Sequence, residues 1–188
     1  GLHAGRGAHE GRSASDLLAV VEALQGQWGR TAPRRTAAQA DSAGALALAG
    51  ALNAAPGRFG AAVLRAPFLD VCGAMLDPSL PLTCEEVGEW GDPADAAAWR
   101  AMRAFCPYAT VGASGQPYPP LLLCAAVHDP RVSFTQALRF LARLRERAPE
   151  AGAPQLLHVR SVGGHHGDGG RWRRLEQLSG DLRGGGGA

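Results

Sequence analysis

Three short stretches hold the residue types of a nucleophilic relay. Ser42 lies within Ala40-Asp41-Ser42-Ala43-Gly44-Ala45, Asp129 follows His128, and His165 and His166 close Gly163-Gly164-His165-His166. A serine hydroxyl is a poor nucleophile by itself. It needs an imidazole to take its proton and a carboxylate to hold that imidazole in the right tautomer. The three types occur here in the order serine, aspartate, histidine, the serine among small residues, the aspartate just past an apolar run and the histidines beside glycine. Two residues before such a serine a glycine usually lets strand and helix meet at a sharp turn. Ala40 stands there instead and places a Cβ where the turn is tightest.

The elements that must position these residues follow from patterning. Residues 16–24 predict an amphipathic helix with Ser15 or Asp16 as its cap and Leu17, Val20, Val21 and Leu24 on one face. Residues 36–40 should be a buried strand ending at Ser42, yet Thr-Ala-Ala-Gln-Ala has little β-propensity. Residues 43–54, rich in alanine and leucine and stopped by Pro56-Gly57, predict a helix. Apolar runs at 61–64 and 121–127 suit buried parallel strands, and 155–159 a last one. Helices are expected at 94–105, 134–147 and 171–178, with arginines gathered at the end of the second. Strand and helix in alternation imply an α/β protein with a doubly wound, mostly parallel sheet and its site at the carboxyl ends of the strands. The order Ser, Asp, His at those ends is that of an α/β-hydrolase fold.

Composition narrows the class. The chain has 188 residues, enough for one domain with a real core. It contains no lysine or isoleucine, its net charge is +2, and its arginines alternate with acids as in Arg143-Leu144-Arg145-Glu146-Arg147. That pattern describes a solvated helix face, so no nucleic-acid partner is expected. No apolar stretch is long enough for a membrane span. Cys72, Cys84, Cys106 and Cys124 form no C-x-x-C pair, so free thiols and a cytoplasmic location are expected, with one disulfide still open. The chain starts at Gly1 and reads as a piece of a longer protein, with residues 181–188 a flexible glycine-rich tail.

The middle of the chain carries a resemblance. Ala66-Pro67-Phe68-Leu69-Asp70-Val71, Leu80-Pro81-Leu82-Thr83, Glu89-Trp90-Gly91-Asp92-Pro93 and Cys106-Pro107-Tyr108 resemble the prolyl oligopeptidase family of serine peptidases. Within it they are most similar to the branch of oligopeptidase B and prolyl endopeptidase-like proteins. The resemblance implies that residues 1–180 are the C-terminal portion of an α/β-hydrolase catalytic domain, incomplete at its N-terminal side. An N-terminal β-propeller and the first strands of the sheet would then belong to the full-length protein.

It also implies roles. Ser42 matches the nucleophile of Gly-Gly-Ser-Ala-Gly-Gly, and the N–H of Ala43 would supply an oxyanion donor. Asp129, ahead of Pro130-Arg131-Val132, takes the place of the triad aspartate, and Arg131 would bind a substrate carbonyl. Two alignments of the glycine-rich loop favour different histidines, His165 in one and His166 in the other, with a slight preference for His165. His158, within a strand, is expected to be a packed or surface residue. Glu85, Glu86 and Glu89 fit an acidic specificity patch or, more simply, a solvated helix face. The histidines near Asp168 have the donor types of a metal site, but their tight glycine spacing and the lack of a second ligand cluster argue against one. No metal or organic cofactor is expected. The function implied is a serine hydrolase acting through an acyl-enzyme on small peptides, esters or thioesters. The alternative, motivated by Ala40, the weak strand before Ser42 and the missing segment that helps build the family's oxyanion site, is a catalytically impaired adaptor that binds a protein partner.

Overall fold

The computed structural model describes residues 11–80, 86–147 and 153–165. Four parallel strands form one sheet in the order β1-β2-β3-β4, each new strand adding beside the last: β1 (Ala37–Asp41), β2 (Ala61–Arg65), β3 (Leu121–Ala126) and β4 (Gln155–Arg160). The expected strands all form, within a residue or two. Between them run α2 (Gly44–Ala54) after β1, then α3 (Val71–Met75), α4 (Val87–Trp90), α5 (Ala96–Phe105) and α6 (Pro107–Thr110) after β2, and α7 (Phe134–Arg147) after β3. The expected helix at 171–178 and the tail at 181–188 lie outside the described residues.

β1 forms despite its poor propensity because its register is fixed by β2, from Ala37 beside Ala61 to Asp41 beside Arg65. Pairing and packing override the weak local preference. The strand is not buried as expected: Ala37, Gln39 and Asp41 are exposed, while Ala38 and Ala40 pack partly against the core. β3 lies between β2 and β4, and its apolar run Leu-Leu-Leu-Cys-Ala-Ala is almost wholly buried. That is the behaviour of a parallel strand covered on both faces.

α2 is the helix that follows the sharp turn, and Ala45, Leu48, Ala49, Ala51 and Leu52 on it are fully buried. Small residues let it sit close to β1 and to α1 (Gly11–Glu22). α1 departs from expectation in two ways. Helix already runs through Gly11, the first described residue, so Ser15 and Asp16 lie inside it and are not caps; the Ser15 hydroxyl instead donates to the carbonyl of Gly11 one turn back. Its inner face is Ala14, Leu17, Leu18 and Val21, while Val20 is 54 % exposed. The face is chosen by what α2 offers, not by the apolar residues alone. Helix α5 starts at Ala96, later than expected, because the Asp95 carboxylate caps it by accepting from the N–H groups of Ala97 and Ala98.

Two buried polar knots fix the connections. Asn53 donates to the carbonyl of Pro107 and to the Thr110 hydroxyl and accepts from the Tyr118 hydroxyl, tying α2 to α6. Burial pushes the Tyr118 phenol pKa up. The second knot is centred on Asp70, 3 % exposed. One of its carboxylate oxygens accepts from the Gly73 N–H and caps α3, and the other pairs with Arg139 at 2.9 Å. Gln136 Oε1 accepts from the N–H groups of both Leu69 and Asp70. Both carboxylate oxygens of Asp70 thus have partners, which is what a buried carboxylate requires.

Candidate active site

Three of the loops that leave the carboxyl ends of the strands meet. Ser42 directly follows β1 and has φ of 53°, a left-handed backbone that a residue with a Cβ adopts only at some cost. Neighbouring hydrogen bonds hold it there: its N–H donates to the carbonyl of Arg65, and its carbonyl accepts from Phe68 and Ala45. Strain of this kind at a strand-to-helix turn projects the side chain outward from the sheet. Ala40 does not carry it. The residue sits in regular strand pairing opposite Leu64, and its Cβ would lie 4.0 Å from a Cβ placed on Gly44, an ordinary contact. Ala43 occupies the N-cap of α2, among the positions whose N–H groups a helix leaves unpaired.

Asp129 lies three residues past β3 and is fixed by a tight turn of its own. Its Oδ1 accepts from the N–H groups of Arg131 and Val132 at 2.8 and 3.0 Å. Its Oδ2 lies 2.8 Å from His165 Nδ1, and the two side chains are only 5 % (His165) and 1 % (Asp129) exposed. His165 Nε2 in turn lies 2.8 Å from Ser42 Oγ. Gly163, with φ of 84°, turns the loop that delivers the histidine from β4. The carboxylate can only accept, so the imidazole donates from Nδ1 and presents Nε2 to the hydroxyl as an acceptor. In that tautomer the arrangement can draw the proton from a serine as its oxygen attacks, and return it to a leaving group.

Beside Ser42 opens a pocket of about 100 Å³. Its wall is mostly apolar, with Phe68, Met75, Leu80, Trp90 and Val132, and Ser42, Ala43 and Arg131 at its edge. Phe68 and Trp90 pack at 5.6 Å between ring centroids, and Trp90 Nε1 donates to Glu86 at 2.5 Å. A larger cavity, about 600 Å³, lies against α2 and α1 and touches none of Ser42, Asp129 or His165.

Of the residues singled out in the sequence, Ser42, Ala43, Asp129, Arg131 and His165 are brought to one place. His166 and Glu85 lie outside the described residues. His128 and His158 are exposed, and the latter lies on β4. Glu89 lines the larger cavity, whereas Glu86, half-buried against Trp90, lines the pocket beside Ser42. Among the described residues no group of three acidic, histidine or cysteine side chains is disposed to hold a metal ion. Sequence reasoning missed Phe68, Met75, Trp90 and Gln136 as pocket wall. The Phe68 and Trp90 motifs were visible, but nothing in their spacing places them together across a gap of about twenty residues.

Residues 2–179 match the model of the prolyl oligopeptidase family. The chain is 43 % identical over 135 residues to a prolyl endopeptidase-like protein of Xenopus laevis, covering 71 % of this chain and 18 % of that protein. It is 34 % identical over 166 residues to Protease 2 of Moraxella lacunata, covering 88 % of this chain and 23 % of that one. Among solved structures it is similar to oligopeptidase B from Leishmania major, with a TM-score of 0.87, 29 % identity, and coverage of 96 % of this chain and 24 % of the other. The chain thus spans less than a quarter of the length of these relatives. Among the described residues no helix is long and apolar enough to cross a membrane.

Proposed function

Because the chain belongs to the prolyl oligopeptidase family, we propose that it is the catalytic portion of a serine hydrolase that works through an acyl-enzyme. Ser42 attacks an acyl carbon, His165 takes the serine proton and returns it to the leaving group, and Asp129 orients the imidazole and stabilises its charged form. The N–H of Ala43 donates to the developing oxyanion, and Arg131 at the mouth of the pocket binds a substrate carbonyl. One observation carries this reading: an unbroken line of two 2.8 Å contacts from Asp129 through His165 to Ser42. His165 is taken over His166 on that ground.

The substrates proposed are small peptides, esters or thioesters. A mostly apolar recess of about 100 Å³ next to the nucleophile, with Glu86 and Arg131 in its lining, suits a small acyl group. The missing length fits a further N-terminal domain, for which a β-propeller is proposed, together with the first strands of the sheet. The adaptor reading rests on Ala40, the weak strand before it and the missing oxyanion segment; of these, the strand nevertheless forms, in register with β2.

Labelling of the full-length protein with a fluorophosphonate tests the proposal. The expected result is strong labelling that Ser42→Ala abolishes and His165→Ala reduces severely. Equal labelling in the parent protein and Ser42→Ala would overturn the hydrolase reading and leave the adaptor. Loss of labelling in His166→Ala but not in His165→Ala would move the general base by one residue.

A further inference from the structure

Gln136 on α7 is only 8 % exposed, yet it lines the pocket beside Ser42. Its carboxamide is held in one orientation. Oε1 accepts from the N–H of Leu69 at 2.9 Å and from that of Asp70 at 3.0 Å. Two backbone donors can be met only by the oxygen end of the amide, which turns the nitrogen end away from them. Among the described residues Nε2 has no hydrogen-bond partner. Gln25 Oε1 is unpartnered too, but it is shut off from solvent, whereas Gln136 Nε2 is not. The open space that Gln136 meets is the pocket. A buried side chain thus keeps one unused donor at the wall next to the nucleophile.

The rest of the lining decides what that donor can meet. Glu86 lies in the same wall, with Oε2 taken by Trp90 Nε1 and Oε1 without a donor among the described residues. Arg131 lines the pocket as well, so its described lining holds one acid and one base and no net charge. The remaining wall is mostly apolar, with Phe68, Met75 and Val132 in it.

We propose that Gln136 is a specificity-determining residue, and that the side chain it selects on the acyl part of the substrate is a primary carboxamide, as in glutamine or asparagine. Such a group offers its oxygen to Gln136 Nε2 and its NH₂ to Glu86 Oε1, and it carries no charge. A cationic side chain satisfies Glu86 alone, sets its own donors against Nε2 and meets the like charge of Arg131. A carboxylate accepts from Nε2 but is repelled by Glu86. A hydrocarbon chain of the same shape strips water from the donor and leaves it unpaired, which is how a hydrogen-bonding pocket rejects an apolar analogue. Because Leu69 and Asp70 already fix the amide, little freedom is lost when the substrate binds. That the carboxamide belongs to an acyl group rests on the hydrolase reading; its recognition by the pocket does not.

Aryl esters of Nα-acetylglutamine and Nα-acetylhomoleucine, whose side chains share one shape, are compared as substrates of the full-length protein, with the Nα-acetyllysine ester as a third. The expected result is a kcat/KM for the glutamine ester about tenfold or more above each of the others. Gln136→Glu keeps an oxygen for the Leu69 and Asp70 N–H groups and replaces the pocket donor by an acceptor. It should reverse the order, with lysine above glutamine. A purely structural role for Gln136 would lower all three rates together. The proposal is overturned by a glutamine preference below about twofold in the parent protein, by a lysine preference there, or by an unchanged ratio in folded Gln136→Glu. The parent comparison needs no variant and decides the matter even where Gln136→Glu does not fold. Should the parent protein hydrolyse none of the three esters, calorimetric binding of the corresponding acetylated amides to it takes their place. Tighter binding of the glutamine amide would then count against the hydrolase reading alone, and equal binding would overturn this proposal as well.

Discussion

Two aspartates at the same rim of the sheet show how alike a working carboxylate and a structural one look. Asp70 and Asp129 each accept from backbone N–H groups on one oxygen and meet a nitrogen base on the other. The side chains of both are nearly inaccessible. The difference is the partner. Asp70 faces the guanidinium of Arg139, which stays charged at any ordinary pH and passes no proton on. Asp129 faces an imidazole whose second nitrogen reaches a serine hydroxyl. A carboxylate supports chemistry only when its partner can change protonation state and touch a nucleophile.

Substitutions should separate the two regions cleanly. The largest effect is expected from Ser42→Ala, a loss of about 10⁴–10⁶-fold in acyl-transfer turnover with an unchanged melting temperature. Asp129→Asn should follow with a loss of about 10⁴-fold, because an amide favours the wrong imidazole tautomer. Steady-state hydrolysis of an aryl ester measures both. Asp70→Ala should do the reverse. It strips the cap from α3 and leaves Arg139 without its anion, at a cost of about 2 kcal/mol. Arg139 is 53 % exposed, so solvent replaces part of that ion pair and the loss stays below that of a fully buried pair. Denaturant titration would show it, with fluorophosphonate labelling per folded molecule nearly unchanged. A tenfold fall in labelling of folded Asp70→Ala would erase the distinction between the two carboxylates. The smallest effect is expected at the turn: Ala40→Gly should change the labelling rate by less than about twofold and cost about 0.5–1 kcal/mol of stability.

How much of this was legible depends on where the information resides. β3 was plain from Leu121 to Ala126 because an unbroken apolar run has few other homes. The positions of β2, β3 and β4 followed from patterning, whereas β1 was placed only by the serine turn it should precede. β1 was doubtful because its stability comes from pairing with β2, which short-range propensity does not record. The cap of α1 was misplaced at Ser15 or Asp16 since a good capping residue inside a helix looks the same as one at its start. His165 and His166 stayed undivided because a glycine-rich loop constrains neither; a contact at 2.8 Å on each ring nitrogen singles out His165 among the described residues. The contact of Phe68 with Trp90 was not foreseen for a related reason. Contacts between distant segments arise from packing.

The most direct measurement is the position of a covalent adduct. After reaction with a fluorophosphonate, tryptic digestion releases residues 36–58 as one peptide, in which Ser42 is the sole serine. The account predicts the phosphonyl mass on that peptide, at Ser42, and its disappearance in His165→Ala. An adduct on another peptide, or one of equal yield after Ser42→Ala, would contradict it.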